Sequence, residues 1–344
     1  MPSTRVPQID GVVATPYLER FRDALEGRSI LVTGAGGLIG SALCRALVAL
    51  GARVTASGRS ARQPAATGPI HRWVAADLAR QDDAHALMAA AAPEIVFNLA
   101  GSVRGERSQA AIAPTLAGNL IATVNLLMAA QAAGAVRFVN TGSLTEPRDA
   151  EEAPSSPYAA SKWAANAYAR MFGDLFGLET VIVRLFMVYG PGQADRTKLI
   201  PYVTQSFLKG AAPRLTSGVY EADWIYVEDV AEGLVAAASV PEANGRTLEL
   251  GTGRLTSVRE VTMQIKELLG SAIEPEFGAL QERPREVYRV AELAAAKEIL
   301  GWQPRTNLSD GLRMTVGALC GALRRTFDGA AAIGIFLVSL GGVL

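Results

Sequence analysis

Tyr158 and Lys162 stand four residues apart in the run Pro157-Tyr-Ala-Ala-Ser-Lys-Trp-Ala-Ala-Asn166. That spacing puts both on one face of any helix that carries them. A phenol beside an ammonium can exchange protons. The cation favours the phenolate, so Tyr158 is expected to trade a proton with a substrate hydroxyl or carbonyl at a pH below that of free tyrosine. Tyr and Lys also meet this way on solvated helices, so the pair gains meaning only beside a second site. One lies upstream. Ser29-Ile-Leu-Val-Thr33 is a short apolar run, followed by Gly34-Ala-Gly-Gly37-Leu-Ile-Gly40 and then Leu43, Ala46, Leu47 and Leu50 at helical spacing. The segment reads strand, glycine turn, helix. Gly34 permits the sharp turn, Gly37 lets amides reach a pyrophosphate, and Gly40 lets the helix pack on the strand. Leu38 and Ile39 open that helix, whose first amides would hold the anion. A dinucleotide site is expected here.

The elements that must position these residues follow. A second strand, Ala52-Arg-Val-Thr-Ala56, ends in Ser57-Gly-Arg59-Ser60, where an acid for the ribose of NAD would be expected. There is none. Arg59 between two hydroxyls suits a 2′-phosphate, which favours NADP over NAD, although a solvated loop arginine is the plain alternative. Trp73-Val-Ala-Ala76 reads as a third strand ending in Asp77-Leu78. Glu94-Ile-Val-Phe-Asn-Leu99-Ala100-Gly101 reads as a fourth and Val136-Arg-Phe-Val-Asn140 as a fifth. Strands alternating with helices predict an α/β fold, a Rossmann-type doubly wound parallel sheet with ligands at the carboxyl ends of its strands.

Composition limits the alternatives. Of 344 residues 49% are hydrophobic, enough for a substantial core. Lys plus Arg (33) balance Asp plus Glu (33), so no net field draws nucleic acid. Cys44 and Cys320 form neither a disulfide framework nor a metal set, which fits a reducing, cytoplasmic setting. His71 and His85 read as surface residues, and without a His/Cys cluster both metal hydrolysis and triad chemistry lose their residues. Met1 to Gly11 lacks the features of a secretory signal. Leu18, Phe21 and Leu25 predict a short amphipathic helix over 17–26. Gly329 to Leu344 carries no charge but is shorter than the roughly 20 residues of a spanning helix, so membrane contact through it is not expected.

The motif order makes a resemblance explicit. Thr33-Gly-x-x-Gly37-x-x-Gly40, Asp77-Leu78, Asn98-Leu-Ala-Gly101, Ser143 and Tyr158-x-x-x-Lys162 resemble the extended short-chain dehydrogenase/reductase family, which contains nucleotide-sugar epimerases, dehydratases and ketoreductases. Arg184-Leu-Phe-Met-Val-Tyr-Gly-Pro-Gly-Gln193, Asp223-Trp-Ile-Tyr-Val-Glu-Asp-Val230, Leu250-Gly-Thr-Gly253, Arg283-Pro284 and Leu300-Gly-Trp-Gln-Pro304 continue it, so that it runs from about residue 28 to 315. The resemblance implies that Tyr158 is the acid/base, that Lys162 lowers its pKa and holds the nicotinamide ribose, and that Ser143 hydrogen-bonds the reacting oxygen. Thr141 is the alternative for the third role. The cofactor-contacting set would be Gly34, Gly37, Leu38, Ile39, Gly40, Ser57, Arg59, Asp77, Leu78, Leu99, Ala100, Gly101 and Lys162.

The family's smaller second domain binds the nucleotide diphosphate of the substrate. Residues 188–222 plus about 255–320 fit that place, leaving 28–187 plus about 223–254 for the dinucleotide-binding domain, 1–27 as an extension and 329–344 as a tail. Arg283 is the leading diphosphate clamp because a guanidinium pairs bidentately with phosphate, and Arg214, Lys198 and Thr141 are further substrate contacts. Asn119 resembles an asparagine that supports the catalytic helix, with a helix N-cap as the alternative. A homodimer is implied through the catalytic helix and the one before it, with Val124, Leu127, Met128, Tyr168 and Met171 at the contact. The family's 4,6-dehydratases carry an Asp-Glu pair directly after the catalytic Thr. Ser143 is instead followed by Leu144-Thr145, and Glu146 and Asp149 stand farther along. Dehydration is therefore disfavoured, Arg59 ranks a 4-ketoreductase using NADPH ahead of a 4-epimerase that retains NAD, and a non-catalytic cofactor-binding protein ranks lower because Tyr158 and Lys162 are both present.

Overall fold

The computed structural model describes residues 14–327 apart from 104 and 150, so the apolar tail from 329 and the first thirteen residues lie outside it. Two short helices, α1 (Pro16–Glu19) and α2 (Arg22–Leu25), precede β1 (Ser29–Thr33), α3 (Leu38–Ala49), β2 (Arg53–Gly58), β3 (Arg72–Ala75), α4 (Gln81–Ala91) and β4 (Ile95–Asn98). A helical run follows, made of α5 (Ile112–Thr115), a π-helical turn (Leu116–Ile121) and α6 (Ala122–Ala132). Then come β5 (Arg137–Ser143), α7 (Pro157–Phe176), β6 (Glu179–Leu185), β7 (Met187–Tyr189), α8 (Leu199–Leu208), β8 (Glu221–Ala222), β9 (Trp224–Tyr226), α9 (Val227–Ser239), β10 (Thr247–Leu250), β11 (Thr256–Ser257), α10 (Val258–Leu268), α11 (Leu293–Leu300) and α12 (Leu308–Phe327).

Seven strands form one sheet in the order β10-β6-β5-β4-β1-β2-β3, every pairing parallel. The strands are nearly continuous in apolar residues because both faces are covered. Alternation then sorts them. Ile30 and Val32 face the cluster built with α3 and α9, while Leu31, Val96 and Phe138 face the cluster built with α4, α6 and α7. The doubly wound α/β expectation holds. Leu18, Phe21 and Leu25 are buried in the first cluster, and the Tyr17 hydroxyl donates to the Leu300 carbonyl at 3.0 Å, so α1 and α2 are packed onto the body.

A third apolar cluster is separate from the sheet. Tyr189, Ile200, Val203, Phe207, Trp224, Val261, Ile265, Leu312 and Val316 join α8, α10 and α12 to the two small strand pairs β7–β9 and β8–β11. This body stands at the carboxyl end of the sheet's β6, because β7 follows that strand after a single residue.

Candidate active site

The glycine turn is shaped by missing side chains. Gly34 sits at φ +64°, and a Cβ there would lie 2.5 Å from the Leu99 carbonyl oxygen, so the backbone after β4 closes directly over the turn. Gly37 caps α3, its amide donating to the Gly34 carbonyl at 3.0 Å. Gly40 is buried against Gly34, and Leu38 and Ile39 remain partly exposed at the helix start. Thr33 completes the frame. Its hydroxyl accepts from the Ala100 amide at 3.2 Å and donates to Asn98 Oδ1 at 2.9 Å.

Around that turn, Ser57 is buried and its carbonyl accepts from the Ala35 amide at 3.1 Å, whereas Arg59 is exposed just beyond β2. Asp77 is exposed and Leu78 buried at the end of β3, with the Leu78 carbonyl held by Asn125 at 2.9 Å. A side chain at Gly101 would meet Asn119 Oδ1 at 2.9 Å and Lys162 Nζ at 3.8 Å. The β4 loop and the α7 amine therefore adjoin. This cradle, open at α3's first amides and bare of side chains at 34, 37 and 40, fits a nicotinamide dinucleotide.

α7 begins with Ser156 as N-cap, its hydroxyl accepting from the Ala159 amide at 3.1 Å, and with Pro157 in its first turn. One turn along, Lys162 is buried and donates to the Thr141 carbonyl at 2.8 Å. Tyr158 is half-buried beside the Ser143 hydroxyl. The expected depression of the phenol does not occur among these residues. Burial pushes Tyr158 up to about 12; its hydrogen bond to Ser143 works against that, and the charge of Glu146 adds to it. Burial also lowers Lys162 to about 8, partly opposed by Glu146. Desolvation dominates the phenol, and the hydrogen bond of the Lys162 ammonium goes to the Thr141 carbonyl.

Ser143 and Thr141 now separate. The Thr141 hydroxyl donates to the Asn98 carbonyl at 2.8 Å within the sheet. Ser143 Oγ lies 3.0 Å from Thr145 Oγ1, accepts from the Thr145 amide at 3.2 Å, and reaches Tyr158. Thr145 is a hydroxyl that sequence reasoning passed over; its alternation with Ser143 was the available signal. Asn119 is no N-cap. It lies inside the helical run, in the π-helical turn, with Nδ2 donating to Ser161 on α7 at 2.8 Å and Oδ1 accepting from the Ser102 amide at 2.6 Å. Leu127 needs correcting too, because it is fully buried against the sheet, while Ile121, Met128, Tyr168, Leu175 and Phe176 are exposed on α6, α7 and the turn before α6.

The candidate substrate residues divide. Lys198 Nζ donates to the Val103 carbonyl at 3.4 Å, and Arg283 NH1 would lie 3.8 Å from a Cβ at Gly105, so both border the loop after β4. Arg214 is exposed and paired with Glu276 at 3.5 Å. Sequence reasoning missed Arg107, whose NH2 donates to the Arg285 carbonyl at 3.3 Å and faces Glu286. It also missed Arg289. NH1 of that residue donates to the carbonyls of Leu144 (3.3 Å) and Glu146 (2.5 Å), and NH2 pairs with Glu152. These contacts seat the 283–292 segment on the loop that follows Ser143.

Comparison with known proteins fits this geometry. The model of the NAD dependent epimerase/dehydratase family matches residues 30–251. The chain belongs to that family. It is 32% identical over 305 residues to the UDP-glucose 4-epimerase of Mycolicibacterium smegmatis, covering 83% of this chain and 96% of that protein. It is 30% identical over 330 residues to the dTDP-glucose 4,6-dehydratase of Neisseria meningitidis, covering 84% and 92%. Among solved structures, the Thermus thermophilus UDP-glucose 4-epimerase complex with NAD superposes with a TM-score of 0.74 at 28% identity, over 85% of this chain and 99% of that one. The family assignment makes this chain an enzyme of the NAD-dependent epimerase/dehydratase type.

Proposed function

We propose that the chain is a nucleotide-sugar 4-epimerase that retains NAD. The observation that carries this is the near full-length match to a UDP-glucose 4-epimerase, joined to a site in which Ser143, Tyr158 and Lys162 converge beside the glycine turn. The first domain spans 28–187 plus about 223–254, and the third apolar cluster serves as the core of the substrate domain. Bound in the cradle, the dinucleotide supplies a hydride acceptor and then a donor. Tyr158 would take the proton of the C4 hydroxyl and return it to the same oxygen after the 4-keto sugar has turned its other face toward the cofactor, while the Ser143 and Thr145 hydroxyls hold that oxygen. Lys162 supplies the positive charge that favours the phenolate once a ribose shares its hydrogen bonds. Arg283 and Lys198 take the diphosphate. Elimination is the weaker reading, because Glu146, the nearest acid past Ser143, is 1% exposed and engaged on both oxygens.

Incubation with UDP-glucose, UDP-galactose or UDP-glucuronate should interconvert C4 epimers without net nucleotide consumption. Tyr158→Phe should lower kcat by about 10²- to 10⁴-fold. Arg59, exposed beyond β2 with no acid beside it, favours a second reading, a 4-ketoreductase using NADPH. Stoichiometric NADPH oxidation by 4-keto-6-deoxy sugar nucleotides, with no epimer exchange, would decide for that reading. A homodimer joined across Ile121, Met128, Tyr168, Leu175 and Phe176 would cover that apolar face; a monomer in sedimentation removes it.

A further inference from the structure

A carboxylate that the proposed reaction does not use lies directly beneath it. Glu146 is 1% exposed, the third residue past Ser143. Its Oε1 accepts from the Ser143 amide at 2.6 Å, and its Oε2 accepts from Asn166 Nδ2 of α7 at 2.7 Å. Arg184 of β6 approaches Oε2 at 3.4 Å and also faces Glu249 of β10 at 3.7 Å. The Glu146 carbonyl is held by Arg289. Room for the carboxylate comes from Gly142, where a Cβ would stand 2.7 Å from both Glu146 Oε1 and Asn166 Nδ2.

The contacts continue inward. Asn166 Oδ1 accepts from Asn140 Nδ2 at 2.7 Å, Asn140 Oδ1 accepts from Asn98 Nδ2 at 2.9 Å, and Asn98 Oδ1 accepts from Thr33 at 2.9 Å. Thr33 is the residue before the glycine turn. One buried chain of polar side chains therefore runs beneath the sheet's carboxyl edge from β1 through β4 and β5 to α7, and it terminates on Glu146. Burying this many polar groups is tolerable only when each is paired. With both oxygens used as acceptors, Glu146 is the one member that can end the chain facing two donors at once.

We propose that Glu146 is a positioning residue for the reaction proposed above: its carboxylate locks the Ser143 end of β5 to the helix bearing Tyr158 and Lys162, fixing the three groups relative to the glycine turn. The proposal rests on that functional reading for its kinetic consequence only. Geometry makes the test specific. In E146Q one end of the side chain becomes an NH2 group that must oppose either the Ser143 amide or the Asn166 amide, both donors. In the pair E146Q/N166D the lock itself is restored: the glutamine oxygen accepts from the Ser143 amide, its NH2 donates to the introduced aspartate, and that aspartate still accepts from Asn140, while the charge moves from β5's loop to α7 and only the longer 3.4 Å contact from Arg184 is lost.

Full-length protein is assayed with UDP-glucose and UDP-galactose, with kcat normalised to the folded fraction, alongside hydrogen exchange of the peptide spanning 141–147. E146Q should lose about 10- to 100-fold in kcat with KM changed less than about threefold. Its 141–147 peptide should exchange about tenfold faster, and the double variant should recover both to within about fivefold. A core group without a positioning role gives E146Q with wild-type kcat per folded molecule, and that outcome overturns the proposal. So does a double variant that folds but stays as slow as E146Q. If the wild type turns over no sugar nucleotide, the proposed function falls and exchange alone judges Glu146: unchanged protection in E146Q sinks the lock, and loss with recovery in the pair upholds it.

Discussion

The two sides of the candidate site are built by opposite means. On the dinucleotide side, shape comes from what is absent: Gly34, Gly37 and Gly40 leave backbone bare, and the β4 loop closes at distances no side chain would allow. On the reacting side, shape comes from what is present. The loop after Ser143 is held from below by the Glu146 carboxylate and from above by Arg289, while Arg148 reaches Glu249 at 3.1 Å and also pairs with Glu292. A turn made of backbone recognises a ligand common to many enzymes and has few ways to vary. A loop held by charged side chains can be re-aimed by single substitutions, which is where differences between epimerases and dehydratases would accumulate.

The largest effect should come from breaking the bare side. Gly34→Ala meets both a disfavoured torsion and the Leu99 carbonyl at 2.5 Å, and should cost more than about 3 kcal/mol and abolish NAD binding. Gly177→Ala is the control. Its φ of +70° is similar, yet nothing lies within 4 Å of an added Cβ, so the torsion alone, about 1 kcal/mol, should appear. Thermal melts with and without NAD separate the two, and equal losses in both variants would remove close approach as the cause.

A smaller effect, opposite in sign at neutral pH, should mark Lys162. Burial holds its folded pKa near 8, against 10.5 in the unfolded chain. Below pH 8 both states carry the proton and the cost of burying it is full. Between pH 8 and 10.5 the folded lysine sheds its proton first and that cost fades, so stability rises with pH by up to about 3 kcal/mol. Lys162→Met removes this term and leaves the Thr141 carbonyl without its donor, a loss of about 1–2 kcal/mol. In melts without added nucleotide, the Met variant should be the more stable at pH 7 and the less stable by pH 10. Parallel stability curves would show that the amine is not desolvated.

The same division explains what can be read from residues alone. The strand, turn and helix at 29–50 and the Tyr158/Lys162 face follow from local spacing, and the parallel sheet follows from alternating elements. Ser143 comes only through the family resemblance, with Thr141 as its alternative, because the strand read as ending at Asn140 runs on to Ser143. Asn98 is marked by the family motif that it opens but not by any role, and Asn140 and Asn166 carry no such signal, because an asparagine in a strand or helix looks like a surface residue until its partners on other elements are known. Glu146 stands too far along the chain from Ser143 to match a dehydratase acid, and only the buried acceptor geometry gives it a role. Leu127 falls on the other face of its helix than expected, because one position along a helix turns a side chain by about 100°. Arg289 touches residues more than a hundred positions earlier, a contact no local pattern encodes.

The smallest expected effect sharpens the charged side. Arg289→Lys keeps the charge but loses the fork that spans two carbonyls and Glu152. If point charge held the loop, lysine would serve and stability would respond to salt. Because the guanidinium satisfies carbonyls as well as a carboxylate, the loss should be about 1–2 kcal/mol, seen as a fall in Tm of about 2–6 °C that changes little with added salt. The 283–292 segment also carries Arg283, so the same variant should raise KM for sugar nucleotides more than it lowers kcat, the reverse of E146Q. A Tm equal to that of the wild type, or a loss that vanishes at high salt, would reduce Arg289 to an ordinary surface ion pair.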